Sequence, residues 1–169
     1  MAARFTHILV PTDFQPASDA ALRCARDIAD RFGARLSLLH VVTDPKAAGF
    51  WTPEVYVPAG AETQERFLRE ARERLENALT PDDRVRFGAA IEARIGAVTE
   101  HIQDFAREQH VDLIVMGTHG RRGLSHLLLG SVAEGVLRTA ACPVLTTHAE
   151  AGAEVASEPV TVAEASALP

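Results

Sequence analysis

An open parallel β-sheet with helices on both faces, an α/β fold, is the class this sequence predicts. Short apolar runs such as HILVPT, RLSLLHVV and DLIVM alternate with stretches whose apolar residues recur at helical spacing. The runs are continuous rather than interleaved with polar residues, as strands buried on both faces require. Strand–helix alternation then implies right-handed crossovers and a parallel sheet. A chain of 169 residues, 47% hydrophobic and 24% charged, is the size of one ordinary globular domain.

Each element has its own signal. Residues 7–12 read as a buried strand that leaves the sheet at Pro-Thr-Asp. Over 16–32, Ala21, Leu22, Ala25, Ile28, Ala29 and Phe32 share a helical face, and Gly33 supplies the stop. Residues 35–42 form the second strand. Residues 43–60 hold Pro45, Gly49, Pro53, Pro58 and Gly60, and read as a long loop of a kind compact domains rarely carry without a use. Helix returns over 63–79 with Phe67, Leu68, Ala71, Leu75 and Leu79 inward, ended by Pro81. Alternating Val85, Phe87, Ala89, Ile91 and Ala93 predict a third strand over 85–93. A helix over 97–109, a strand over 112–116, a helix over 131–140 and a strand near 143–147 complete the order βαβαβαβαβ. Beyond Ala149 the chain turns to Ala, Glu, Val, Ser and Pro without periodicity. The domain is therefore expected over 1–148, with 149–169 a disordered acidic tail.

Composition removes several functions. No apolar run approaches the roughly 20 residues that span a bilayer, and the start lacks a secretory signal, so a cytoplasmic location and no membrane partner are expected. The net charge is −6, and Glu150, Glu154, Glu158 and Glu164 supply four of those charges, which leaves −2 on the body. That is not the basic footprint of a nucleic-acid binder. Lys46 is the only lysine, so no GxxxxGK[ST] phosphate loop is present. Cys24 and Cys142 stand far apart and read as small buried hydrophobes rather than a disulfide framework. His119 and His126 have no ligand-spaced partners, which speaks against a protein-held metal. His40, inside an apolar strand, reads as a satisfied core histidine. Arg66, Arg69, Arg72 and Arg74 interleave with Glu65, Glu70, Glu73 and Glu76 as on a solvated, ion-paired helix face. Trp51 and Tyr56, in the long loop, leave open whether they cover a ligand, pack across a dimer or belong to a mobile segment.

In an open parallel sheet the ligand site lies beyond the carboxyl ends of the strands, where the strand order reverses. Two loops should meet there. One is Pro11-Thr12-Asp13 after the first strand. The other runs over 117–131 as GTHGRRGLSHLLLGS, spaced Gly117, two residues, Gly120, nine residues, Gly130-Ser131. Glycines let backbone N–H groups converge on an anion. Gly130-Ser131 opens the last helix, whose unpaired N–H groups and positive dipole end favour phosphate. Ser131 adds a hydroxyl donor or caps the helix. Arg121 and Arg122 add positive charge. Asp13 stands where carboxylates accept from ribose hydroxyls in dinucleotide folds.

Gly-x2-Gly-x9-Gly-Ser, with HILVPTDF, LSLLHVV and GSVAEGVLRTAACPVL around it, resembles the ATP-binding branch of the universal stress proteins. The resemblance implies a Rossmann-like sheet, of the adenine nucleotide alpha hydrolase-like kind, with strand order 3-2-1-4-5. It implies that Pro11, Thr12 and Asp13 line a nucleoside pocket and that the Val41 backbone reads the adenine edge. Met116 and Gly117 would contact the ribose side. His119, Gly120, Gly130, Ser131 and Val132 would hold the phosphates of ATP, with Arg121 at a basic position beside them. Magnesium or manganese would bridge those phosphates. It also implies a homodimer paired through the fifth strand, 143–148, which is more polar here than is usual.

Binding is better supported than turnover. Hydrolysis needs a placed water and a group to orient it. Asp13 is expected at the nucleoside end, and His119 alone stands near the phosphates. A nucleotide-dependent stress-response regulatory module is the first reading. A slow ATPase of the same fold and a dimeric scaffold without nucleotide stay open beside it.

Overall fold

The computed structural model describes residues 5–43, 60–118 and 130–148. Strand β1 (His7–Pro11) leads into α1 (Pro16–Phe32) and β2 (Arg35–Thr43). Helices α2 (Ala61–Ala78) and α3 (Pro81–Phe87) precede β3 (Ala90–Gly96). Then follow α4 (Val98–Glu108), β4 (Leu113–Gly117), α5 (Ser131–Thr139) and β5 (Val144–Thr147). The sheet is five-stranded and parallel in the order β3-β2-β1-β4-β5, as expected. The expected long loop, apart from its end residues, and the expected tail lie outside the described residues.

Alternate residues of the central strands serve two cores. Ile8 and Val10 of β1, Leu36 and Leu38 of β2, and Leu113 and Val115 of β4 pack with Ala21, Ala25, Ala29 and Leu75 under α1 and α2. Leu9, Leu39, Val41, Ile114 and Met116 pack with Ile102, Phe105, Ala133 and Val136 under α4 and α5. Crossovers on one side of the first strand therefore use one face, and those on the other side use the opposite face. The switch point falls between β1 and β4.

Residues 85–87, expected to open the third strand, instead end a helix over 81–87. That helix is α3, which starts at the Thr80 cap and ends at Gly88, in the left-handed conformation. Thr80 and Asp83 exchange bonds: the Asp83 N–H donates to Thr80 Oγ1 at 3.1 Å, and the Thr80 N–H donates to Asp83 Oδ2 at 2.7 Å. This reciprocal cap, with Pro81 at the first helical position, outweighs the alternation that pointed to a strand. Val85, expected inward, is 88% exposed, and β3 begins only at Ala90.

Smaller differences follow the same logic. Phe67 is exposed, its ring beside the Arg66 guanidinium, while Ala71 and Leu75 carry the buried stripe of α2. Cys24 and Cys142 are free and half-buried rather than fully buried. Burial pushes both thiols up, so neither is primed as a thiolate.

Candidate functional site

Beta strand β1 ends at Pro11, buried and paired with Leu39, and the chain then turns over the carboxyl edge. The Thr12 N–H donates to Leu39 O at 2.9 Å. Leu39 turns its peptide groups to the β1 side, so Val41, two residues on, turns its own N–H and C=O the same way. These lie beyond the last residue of β1 paired with β2. The Thr12 hydroxyl donates to Ser18 Oγ at 3.0 Å and accepts from the Phe14 N–H at 3.0 Å. Asp13 Oδ1 accepts from the Gln15 N–H at 3.1 Å, which pins the carboxylate across the start of α1. Phe14, between them, is in the left-handed region at φ 61°.

Across the switch point, β4 ends in Met116 and Gly117. A Cβ on Gly117 would stand 2.7 Å from the backbone carbon of Ala17 and 2.8 Å from its Cβ. Only glycine lets the first turn of α1 press this closely on the end of β4. Thr118 follows, 1% exposed, its N–H donating to Thr147 O at 2.9 Å. Its Oγ1 lies 3.2 Å from Thr147 O and 2.8 Å from His148 Nδ1. Thr118 O accepts from the Gly130 N–H at 2.6 Å. The two stems of the glycine-spaced segment are thus joined at its base.

Gly130, not Ser131, caps α5; Ser131 is the first helical residue and is exposed. The alternative of Ser131 as the cap is corrected accordingly. The Glu134 N–H is the first to bond back, to Gly130 O, so the amides of Ser131, Val132 and Ala133 face the helix start. These amides and the positive dipole end are anion-seeking. Pro11, Thr12, Asp13 and Val41 thus come from β1 and β2, and Met116, Gly117, Gly130, Ser131 and Val132 from β4 and α5, all at the carboxyl edge. His119, Gly120 and Arg121 lie outside the described residues.

Sequence reasoning assigned no role to Thr118 or Ser18, the two hydroxyls that fasten these loops. It also placed Arg74 on a solvated face. Arg74 is exposed there, and its guanidinium carbon also sits 3.9 Å from the Phe14 ring centroid. His40, expected as a core histidine, is half-buried near the end of β2, with Nδ1 2.7 Å from Thr12 O. Opposite a carbonyl, that nitrogen must carry the proton. Two hollows open elsewhere, of about 290 Å³ beside His110 and Cys142 and about 150 Å³ beside Ser37 and Gly88. Neither touches the paired loops.

A five-stranded parallel sheet in this order, with two fastened loops and a helix start at its switch point, defines a Rossmann-like α/β protein with its candidate site at the carboxyl edge. The universal stress protein family pattern matches residues 4–148, and the chain belongs to that family. It is 34% identical over 150 residues to universal stress protein MJ0531 of Methanocaldococcus jannaschii, covering 83% of this chain and 81% of that one. Among solved structures, that of protein MJ0577 superposes with a TM-score of 0.70 at 28% identity, covering 86% of this chain and 97% of that one. A universal stress protein solved in complex with cAMP superposes with a TM-score of 0.53 at 26% identity, covering 87% and 99%.

Proposed function

We propose that this chain binds ATP at the carboxyl edge of its sheet and acts as a nucleotide-dependent regulatory module of the cytoplasmic stress response. One observation supports the reading above others. The N–H groups that open α5 and the carboxylate of Asp13 stand on opposite sides of the β1/β4 switch point. A nucleotide has the same polarity, with anionic phosphates at one end and ribose hydroxyls at the other. The cAMP complex of a relative supports an adenine nucleotide as the ligand class. Pro11, Thr12, Asp13 and the Val41 backbone would hold the nucleoside, with Met116 and Gly117 against the ribose. Gly130, Ser131 and Val132, with His119, Gly120 and Arg121, would hold the phosphates.

No cluster of three or more His, Cys, Asp or Glu side chains gathers among the described residues. A magnesium or manganese ion would be carried by the phosphates, whose oxygens suit such hard cations. Strand β5 is an edge strand, and Leu145 on it is 38% exposed, which supports a homodimer paired along residues 143–148. Among the described residues no helix is long and apolar enough to cross a membrane.

Calorimetry with ATP and magnesium tests the reading on wild type and on Gly130→Asp. A carboxylate at the cap opposes the phosphates where charge is least screened, so binding should vanish while circular dichroism stays unchanged. Unchanged affinity in the folded variant would refute the phosphate assignment. Phosphate release proportional to protein, and lost in the same variant, would move the chain to the slow ATPases.

A further inference from the structure

Phe14 is one of two described residues other than glycine with positive φ, at 61°. A bulky side chain there is costly, and glycine or asparagine would serve the turn at less expense. The ring is therefore what this position gains. It is held from two elements outside its own loop: the Arg74 guanidinium carbon of α2 lies 3.9 Å from its centroid, and the His40 ring of β2 lies 4.5 Å away, tilted by 42°. His40 also donates from Nδ1 to Thr12 O at 2.7 Å. Phe14 N–H in turn donates to Thr12 Oγ1. Asp13 is thus framed by two neighbours, each fixed from β2 or α2. Its Oδ1 is taken by the Gln15 N–H, and Oδ2 accepts no hydrogen bond among the described residues.

We infer that His40, Phe14 and Arg74 are positioning residues that set Asp13 to select a ribose with free hydroxyls. The inference rests on the nucleotide reading above and adds the origin of its sugar specificity. A hydrogen bond to a carboxylate is one of the stronger kind, so losing it costs about tenfold or more in affinity. Among the described residues, His40 and Arg74 reach this loop at Thr12 and Phe14 rather than at Asp13 itself.

The test compares ATP with 2′,3′-dideoxy-ATP by calorimetry on the full chain. Wild type should prefer ATP by about tenfold or more. In His40→Leu, Phe14→Gly and Arg74→Met the preference should fall toward one, with dideoxy-ATP affinity little changed. His40→Asn, whose amide nitrogen replaces Nδ1 as donor, should restore it. Arg74 is on the exposed side of α2, so Arg74→Met reports even where the other variants fail to fold. A merely structural role would weaken both nucleotides alike and leave their ratio untouched. That result, or a wild type that binds both equally well, overturns the inference. A wild type that binds neither overturns the nucleotide reading instead.

Discussion

Arg26 on α1 grips Asp83 on α3 with both arms, Nε to Oδ1 at 2.8 Å and Nη2 to Oδ2 at 2.6 Å. The same Nη2 donates to Ala78 O at the end of α2, so one guanidinium ties three helices together. Asp83 is 3% exposed and also closes the Thr80 cap.

Asp83→Asn removes half of a bidentate pair and one arm of the cap. Arg26 keeps some access to water, so the loss is expected at about 2 kcal/mol, measured by urea unfolding. Burial opposes ionisation of Asp83, but hydrogen bonds from Arg26 and Thr80 outweigh it and hold the carboxyl below its ordinary 3.8. Its contribution is therefore complete above that value and is lost as pH falls through the lowered one. The variant should lack this acid-dependent component.

His7 predicts a second pH dependence, at milder acidity. It is 2% exposed, with Nδ1–H donating to Gln109 O at 3.0 Å and Nε2 2.8 Å from the Ser37 hydroxyl. Burial lowers its pKa from 6.5; the Gln109 carbonyl opposes this, nearby Arg35 assists and Asp112 opposes. The unfolded chain takes up a proton below 6.5 that the native state refuses. Stability should fall there with a slope of at most about 1.4 kcal/mol per pH unit. His7→Gln should flatten that slope in denaturant titrations between neutral pH and pH about 5.

Gly117→Ala drives a methyl group into the Ala17 backbone. Overpacking of this kind costs about 1–3 kcal/mol. Relief requires the first turn of α1 to move away from β4, and that turn carries the Thr12–Ser18 bond. Both the melting temperature and nucleotide affinity should drop, in contrast to Asp83→Asn, which should leave affinity intact.

His101 predicts a gain. Its Nδ1 is buried and has no hydrogen-bond partner among the described residues, and its ring lies against Gly96, where an added Cβ would meet Nε2 at 2.3 Å. An unsatisfied buried polar atom is a net cost, so His101→Leu should stabilise the fold by about 1 kcal/mol in thermal or urea unfolding. Gly96→Ala should be destabilising even in that background, because φ there is 148°.

The sheet was legible because its strands are unbroken apolar runs with clear stops. Residues 16–32 matched α1 at both ends, since Pro16 and Gly33 punctuate it. Val85 and Phe87 misled because alternation over so few residues is shared by a strand and a short helix. The decisive signal, Thr80-Pro81-Asp82-Asp83, was a cap rather than a period. At the site, glycine spacing and the Pro-Thr-Asp turn marked the two loops. The Arg74–Phe14 contact was not readable, because 60 residues separate the pair and only the β2–α2 crossover brings them together. Thr118 looked like one more loop hydroxyl. Its burial comes from β5, whose carbonyl and His148 lie beside it only once the sheet closes.

The bond from Gly130 to Thr118 holds the end of β4 and the start of α5 together at a single point. With that bond in place, the register of the strands does not depend on what the chain carries between those two residues. Chimaeras carrying the equivalent stretch of a relative should then keep the recipient's melting behaviour and acquire the donor's ligand preference. Diversification within such a scaffold needs no redesign of the core, only the preservation of two stems a hydrogen bond apart.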